Sequence, residues 1–164
     1  MNIAILFGRK NSKSIRNKNI LKIFSKPMFM YPLSAAKKVK QIDKIYVSSD
    51  SGYILKQAKK NGCIPINRPK YLCNDKALLE EAIQHAVNYC QNINSNKITN
   101  FIILLCNSIC VRSADIEEGL KILKKTKKID TVTTVSKFNN FSPVRAKKIV
   151  GQKLLNYIPN KNLK

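Results

Sequence analysis

The sequence predicts an α/β protein with a mostly parallel sheet and helices on both of its faces. Short apolar runs alternate along the chain with stretches of helical periodicity, and short polar junctions separate them. The apolar run at 98–105 is nearly continuous, which is typical of a central strand buried on both faces. No repeat, linker or low-complexity segment interrupts this alternation, so residues 1–164 are expected to form a single domain.

The first half of the chain predicts three strands and two helices. Pro32 is compatible with the first turn of a helix, where its missing N–H group needs no partner. Ser51 is a favoured N-cap, and Gly62 is the residue type expected just beyond a helix end. The predicted elements, in chain order, are strand Ile3–Phe7, helix Tyr31–Val39, strand Lys44–Ser48, helix Ser51–Asn61 and strand Cys63–Ile66.

The second half predicts two more helices and three more strands. We expect Asn74 or Asp75 to cap the third helix, and Ser113 to cap the fourth. The fourth helix has acidic residues near its start and lysines near its end, the order that a helix dipole prefers. The predicted elements are helix Lys76–Asn92, strand Ile98–Leu105, helix Asp115–Lys125 and strands Thr131–Ser136 and Ala146–Val150.

The chain is strongly basic, with a formal net charge of +22 over 164 residues. Most of the 31 basic residues are lysines, while specific phosphate clamps favour the planar fork of arginine. We therefore interpret the lysine excess as compositional drift, and the arginines as the more informative cations. The five arginines are Arg9, Arg16, Arg68, Arg112 and Arg145.

Cysteine and histidine usage predicts no zinc site, since five cysteines without a Cys-x-x-Cys pair accompany a single histidine, His85. Reduced, mostly buried thiols are expected instead. The segment Met1–Phe7 is too short for a signal peptide, and no apolar stretch approaches membrane-spanning length. These observations predict a cytoplasmic protein without a membrane partner.

The segment 8–20 follows the first predicted strand and carries five basic side chains. Ligands of open α/β sheets bind at the carboxyl ends of the strands, where this loop is expected to lie. Because crowded cations repel one another, the loop suggests a polyanionic ligand such as a nucleoside triphosphate. The alternative is a solvated basic turn in a chain that is rich in lysine throughout.

The same segment resembles a family signature. Arg9-x-Asn11-Ser12-Lys13, followed by Lys18-Asn19, is similar to the N-terminal motif of the CMP-sugar synthetases, the acylneuraminate cytidylyltransferase family. Further similar motifs follow in family order and cover nearly the whole chain. They are 47–51 (Val-Ser-Ser-Asp-Ser), 68–75 (Arg-Pro-x-x-Leu-x-x-Asp), the strand 103–105 with Arg112, 133–136 (Thr-Thr-Val-Ser) and 142–145 (Ser-Pro-Val-Arg).

The resemblance implies a Rossmann-like sheet of the glycosyltransferase-A type and the transfer of CMP from CTP to an acidic nonulosonate-type sugar. Phosphoryl transfer of this kind depends on positioning and charge neutralisation. The implied catalytic residues are Arg9, Lys13 and Lys18. The implied nucleotide-binding residues are Arg9, Asn11, Ser12, Lys13, Lys18, Asn19, Arg68 and Asp75, with Asn19 near the base.

Several of these residues also have a purely structural interpretation. Asn19 can cap the turn before Ile20, and Arg68 can stack beside Pro69. Asp75 can cap the following helix, for which aspartate is well suited. Asp50, a candidate for water or metal placement, is equally suited to the turn before a helix.

Relatives usually continue for another third of their length, and by resemblance that portion holds an Asp-x-Asp metal motif, sugar-binding residues and a dimer element. The resemblance implies Mg²⁺, yet the sequence shows no acidic residue after Asp130. The chain is therefore expected to be truncated relative to the family, or to be one part of a split enzyme. Its implied partners are CTP, an acidic sugar, and a second copy or a complementary C-terminal polypeptide.

Two further hypotheses stay open at this point. One is a non-catalytic nucleotide-binding remnant of the same fold. The other is a basic RNA-binding protein. The lysines are scattered over the whole chain and there are no arginine-rich or aromatic-interleaved patches, and both observations disfavour this hypothesis.

Overall fold

The computed structural model describes residues 1–11, 15–126, 128–135, 147–151 and 153–156. The chain divides into two compact units, Met1–Thr131 and Val132–Lys164. Six strands, four α-helices and two short 3₁₀ helices of the described residues belong to the first unit. The strands are β1 (Asn2–Phe7), β2 (Lys22–Ile23), β3 (Lys26–Pro27), β4 (Lys44–Ser49), β5 (Ile64–Asn67) and β6 (Asn100–Leu105). The α-helices are α1 (Met30–Lys37), α2 (Gly52–Lys60), α3 (Leu79–Ile93) and α4 (Ser113–Lys125).

Four of these strands form one parallel sheet in the order β5-β4-β1-β6. Strand β1 lies between β4 and β6, and its last residue, Phe7, is in register with Ser48 and Leu105. Parallel strands all end at the same edge of a sheet. The loops after β1, β4, β5 and β6 therefore start close together at the carboxyl edge.

The core has two layers because successive side chains of a strand point to opposite faces of the sheet. Ala4 and Leu6 pack with α1, α2 and α4 on one face, through residues such as Leu33, Ile54 and Ile116. On the other face, the core consists of strand residues and one side of α3. Its buried members are Ile3, Ile5, Phe7, Tyr46, Ile66, Ala82, Ala86 and Cys90. The predicted α/β class with helices on both faces is confirmed.

Helix α2 forms as the sequence predicts. The Ser51 hydroxyl accepts a hydrogen bond from the Ile54 N–H (3.4 Å), and Gly62 follows the helix with a φ of 75°. Glycine adopts this left-handed conformation at little cost, whereas most other residues do not.

The caps predicted for α3 and α4 are wrong. Helix α3 begins at Leu79, because the Asn74 side chain closes an earlier turn by accepting from the Lys76 and Ala77 N–H groups (2.8 and 2.9 Å). Ser113 lies inside α4, whose first turn is closed by the Arg112 N–H donating to the Asp115 carboxylate at 3.0 Å.

Two hairpins were not predicted. The β2–β3 ribbon turns at Phe24 and Ser25, both at positive φ, where sequence rules expect glycine or asparagine. In the second unit, β7 (Lys147–Val150), close to the predicted strand Ala146–Val150, pairs antiparallel with β8 (Lys153–Asn156) around Gly151. The strand predicted at Thr131–Ser136 is wrong for residues 131–135, which have no regular structure; Ser136 lies outside the described residues.

In the part of the chain that the structure describes, no helix has the length and apolar character needed to cross a bilayer. All five cysteines are free, and Cys63, Cys90 and Cys106 are buried, as the sequence predicts.

Gly8 sits at the end of β1, where a side chain would collide with β6's loop. A Cβ at this position would lie 2.3 Å from Cys106 Sγ and 2.9 Å from Cys106 Cβ. We expect Gly8→Ala to lower the free energy of unfolding by about 1–3 kcal/mol, the usual cost of overpacking a core. Urea denaturation measures this change.

Gly52→Ala is the matched control for this substitution, since a Cβ there meets nothing within 4 Å. Adding Cys106→Gly to Gly8→Ala should recover part of the loss, because it removes both colliding atoms. Equal stabilities of Gly8→Ala and Gly52→Ala would contradict the close packing.

Thiol reactivity should follow burial. Burial raises the pKa of Cys90 to about 11 and that of Cys106 to about 12. Near pH 8 both thiols are therefore protonated and shielded, whereas Cys110 is exposed. Mass spectrometry after brief alkylation of the native protein should find Cys110 modified and Cys90 and Cys106 intact. Rapid labelling of Cys106 would contradict this packing; labelling in urea, where all five should react, is the control.

Candidate functional site

A cavity of about 300 Å³ lies at the carboxyl edge of the sheet. We call it the edge cavity. Its walls come from the loops after β1, β5 and β6 and from the segment that leads into α3. Its lining includes Gly8, Arg9, Lys18, Asn19, Arg68 and Asp75. Three of these side chains are cationic and one is a carboxylate, so the lining carries excess positive charge.

Arg9 is tied to the segment before α3. Its Nη1 atom donates to the Asp75 carboxylate at 2.9 Å and to the Asn74 carbonyl oxygen at 3.3 Å. The Arg9 side chain keeps a third of its surface exposed. A guanidinium offers five N–H donors, so this contact leaves donors for a ligand. Asp75 therefore orients Arg9 rather than capping α3, and its predicted role as a cap is wrong.

Arg68 is another cation of the edge cavity, and it is partly buried. Its side chain donates to the Ser48 carbonyl oxygen (2.9 Å) and to the Ser48 hydroxyl (3.3 Å), and it lies over the Phe7 ring. Burial lowers the pKa of this guanidinium, which nevertheless stays charged. The guanidinium is thus held by Ser48 and Phe7, a geometry unlike the stacking on Pro69 that the sequence left open.

Asn19 and Asp50 both contact the backbone of the loop after β1. The Asn19 amide donates to the Arg9 carbonyl oxygen at 2.9 Å, and the Asp50 carboxylate accepts from the Lys10 N–H at 2.6 Å. Asn19 is 8% exposed. Its side chain reaches across to Arg9, so it does not cap the turn before Ile20.

The structure thus brings together Arg9, Lys18, Asn19, Arg68 and Asp75 at one cavity. Asn11 is exposed, and the predicted site residues Ser12 and Lys13 lie outside the described residues, as does the motif at 142–145. A second cavity of about 260 Å³ lies on the α2 side of the loop, with Lys10, Ser51 and Tyr53 in its lining. We call it the helix-side cavity.

Sequence reasoning missed two parts of the edge cavity. Asn107 lines it directly after β6, and the rule that parallel strands end at one edge was a sufficient signal for it. Leu72 and Leu78 supply apolar wall. Leu72 belongs to the 68–75 motif, although no role in a cavity was predicted for it. No sequence signal pointed to Leu78, because its place depends on how the chain between β5 and α3 folds.

A dedicated metal site does not fit the described residues. They contain no group of three or more histidine, cysteine or acidic side chains that could hold an ion. Asp50 and Asp75, the two carboxylates that contact the loop after β1, are engaged there, Asp50 with the Lys10 N–H and Asp75 with Arg9. We therefore assign no metal ligand and no step through a metal to these residues.

Comparisons with known proteins match most of the chain to cytidylyltransferases. The family model described as cytidylyltransferase matches residues 3–150. Over 148 residues the chain is 32% identical to the pseudaminic acid cytidylyltransferase and UDP-2,4-diacetamido-2,4,6-trideoxy-beta-L-altropyranose hydrolase of Helicobacter pylori. Over 142 residues it is 32% identical to the N-acylneuraminate cytidylyltransferase of Escherichia coli O18:K1:H7.

The fold also resembles solved structures. CMP:2-keto-3-deoxy-manno-octonic acid synthetase, solved in complex with CTP, matches 78% of this chain and 49% of its own with a TM-score of 0.65 and 17% identity. Rv0371c of Mycobacterium tuberculosis H37Rv, solved in complex with manganese, matches 76% of this chain and 59% of its own with a TM-score of 0.52 and 12% identity. At these identities the likeness shows the Rossmann-like fold alone.

The chain is short relative to its curated relatives. The matched segments are 88% and 87% of this chain but 27% of the Helicobacter protein and 33% of the Escherichia protein. The family match nevertheless runs from the first strand to β7 and includes every described element of the edge cavity. The chain belongs to the cytidylyltransferase family.

Proposed function

We propose that this chain binds CTP in the edge cavity and takes part in the transfer of CMP to an acidic nonulosonate-type sugar. The convergence of Arg9, Lys18 and Arg68 on one cavity at the carboxyl edge is the observation that carries this proposal. Two relatives named as cytidylyltransferases for such sugars, and a fold neighbour solved with CTP, support the choice of nucleotide.

The proposed reaction is a displacement at the α-phosphorus of CTP. A sugar hydroxyl oxygen forms the new bond to that phosphorus and releases its proton to water, while the bond from the α-phosphorus to the bridging oxygen of the β-phosphate breaks. Pyrophosphate leaves with the bond electrons. Cations that neutralise the developing charge are the main help a protein gives to this chemistry.

We assign that neutralising role to Arg9, Lys13 and Lys18. Arg9 is oriented by Asp75 and suits a forked contact with phosphate oxygens. Backbone N–H groups near Asn11 and Ser12 are proposed to complete the phosphate contacts. Arg68 is proposed to contact the nucleotide from the Ser48 side of the edge cavity.

The rest of the reaction needs more than the residues described here, and we propose that this chain acts as one part of a cytidylyltransferase. The sugar contacts are proposed to come from a complementary polypeptide or a second copy. Mg²⁺ remains the metal expected by resemblance, arriving with the triphosphate. A cytoplasmic location agrees with five free cysteines and with CTP as ligand.

Nucleotide selectivity tests the proposal directly. In the presence of magnesium, CTP should raise the melting temperature of the chain, whereas ATP and GTP should have little effect, because ligands stabilise the folded state that binds them. Differential scanning fluorimetry at increasing nucleotide concentration measures the shift. An equal response to all three nucleotides would reduce the site to a general polyanion site and favour the RNA-binding alternative.

Two variants that each remove one positive charge test whether the CTP-induced shift in melting temperature arises in the edge cavity. Arg68→Met should abolish most of the CTP shift, since it removes a cation from the edge cavity. Lys44→Met is the control, because Lys44 bonds Asn94 at the opposite edge of the sheet, and it should keep the shift. An equal loss of the CTP-induced shift in both variants would indicate that CTP responds to the net charge of the protein rather than to a site in the edge cavity.

A further inference from the structure

One peptide unit in the loop after β1 is held at both of its polar atoms. The carbonyl oxygen of the Arg9–Lys10 peptide accepts from Asn19 Nδ2 at 2.9 Å. The N–H of the same peptide donates to Asp50 Oδ1 at 2.6 Å. The C=O and N–H of a trans peptide point in opposite directions, so these two contacts fix the plane of the unit from its two sides.

Both side chains that hold this peptide are themselves anchored. Asn19 is buried, and its backbone carbonyl oxygen accepts a hydrogen bond from the backbone N–H of Phe29 at 3.0 Å. Phe29 is a fully buried core residue. It therefore connects the loop to the helix-covered core. Its amide is turned toward Arg9, and this orientation gives the side chain a donor role in the loop.

Asp50 is fixed by its chain neighbours. It stands between Ser49 and Ser51, which are both buried, and the Ser51 N–H donates to the Ser49 hydroxyl at 3.0 Å. Ser51 in turn caps α2 through the Ile54 N–H. The carboxylate of Asp50 is thus presented from a rigid junction between β4 and α2.

We propose that Asn19 and Asp50 act as a clamp on the Arg9–Lys10 peptide and are positioning residues for the nucleotide. The clamp sets the direction in which the Arg9 side chain leaves the backbone, toward Asp75 and the edge cavity. It places Lys10 on the other side, in the lining of the helix-side cavity. Arg9 and Lys10 are thereby divided between two cavities, and repulsion between their charges is relieved.

This assignment differs from the roles considered for the two residues from sequence. A metal-placing Asp50 needs its negative charge, whereas a clamp needs only an acceptor oxygen. If Asn19 recognised the base, its side chain would contact the nucleotide. In the clamp, the Asn19 amide instead donates to the Arg9 carbonyl oxygen. Residues that orient metal ligands change affinity by about 10–100-fold when removed, and we expect an effect of similar size from residues that orient a phosphate-binding loop.

Two variants of Asp50, one isosteric and one truncated, distinguish the clamp from a role that needs negative charge. Asp50→Asn retains an acceptor oxygen and should keep the CTP dissociation constant within about threefold of wild type, while Asp50→Ala should weaken it about tenfold or more. Asp43→Ala is the matched control, because Asp43 accepts from the Asn2 N–H at the same 2.6 Å, at the opposite edge of the sheet. Isothermal titration with CTP and magnesium gives the constants.

Asn19→Asp replaces the donor with an acceptor facing the Arg9 carbonyl oxygen, and it should weaken CTP binding as much as Asp50→Ala. Asn100→Asp makes the same chemical change where Asn100 donates to Asn2, away from the loop, and should not. Because both contacts act on one peptide, the Asn19→Asp and Asp50→Ala double variant should lose less than the product of the two single losses.

The affinity test of the clamp rests on the proposed function, because it requires that the protein bind CTP. A second measurement is therefore made without nucleotide. In ¹⁵N-labelled protein, hydrogen exchange of the Lys10 amide should accelerate about tenfold or more in Asp50→Ala and much less in Asp50→Asn. Unchanged Lys10 exchange in Asp50→Ala overturns the clamp. Loss of CTP binding in Asp50→Asn equal to that in Asp50→Ala also overturns it and favours a charge-dependent role.

The proposed function and the clamp can therefore be contradicted independently of each other. Wild-type protein that shows no preference for CTP contradicts the proposed function, while the Lys10 exchange still decides on the clamp. Wild-type protein that binds CTP selectively, with Asn19→Asp and Asp50→Ala binding equally well, contradicts the clamp alone.

Discussion

The pairing of β1 with β4 on one side and β6 on the other is the constraint on which the site depends. It brings Phe7 into register with Ser48 and Leu105, so the loops that follow these strands leave the sheet side by side. Gly8 allows the backbone to pass within van der Waals distance of Cys106, where a side chain has no room. Arg9 and Asp50 are neighbours because of this register, and the pairing of β5 with β4 adds Arg68, although the three residues are far apart in sequence.

Charge in the edge cavity is arranged by hydrogen bonds to the backbone as much as by ion pairs. Arg68 is held by the Ser48 carbonyl oxygen, and Arg9 by Asp75 and the Asn74 carbonyl oxygen. The loop carrying Arg9 is itself fixed by Asn19 and Asp50. Cations held in this way lose less conformational entropy when a polyanion binds than exposed lysines without such contacts.

The fold was largely predictable from sequence, because apolar runs and helical periodicity report burial directly. Ser51 and Gly62 marked the ends of α2 correctly. The β2–β3 ribbon was missed because Phe24 and Ser25 adopt positive φ without being glycine or asparagine. The start of α3 was missed because Asn74, a good cap by type, closes a separate turn. At the site, the residue types were identified, but the partners of Asn19 and Asp50 come from tertiary contacts that no local pattern encodes.

A crystal structure of the chain with CTP and magnesium tests the central claim most directly. We expect electron density for the triphosphate in the edge cavity, within hydrogen-bond distance of Arg9 and Lys18, with Arg68 in contact with the nucleotide. Density for the triphosphate in the helix-side cavity beside Ser51 and Tyr53, or elsewhere on the basic surface, would contradict it.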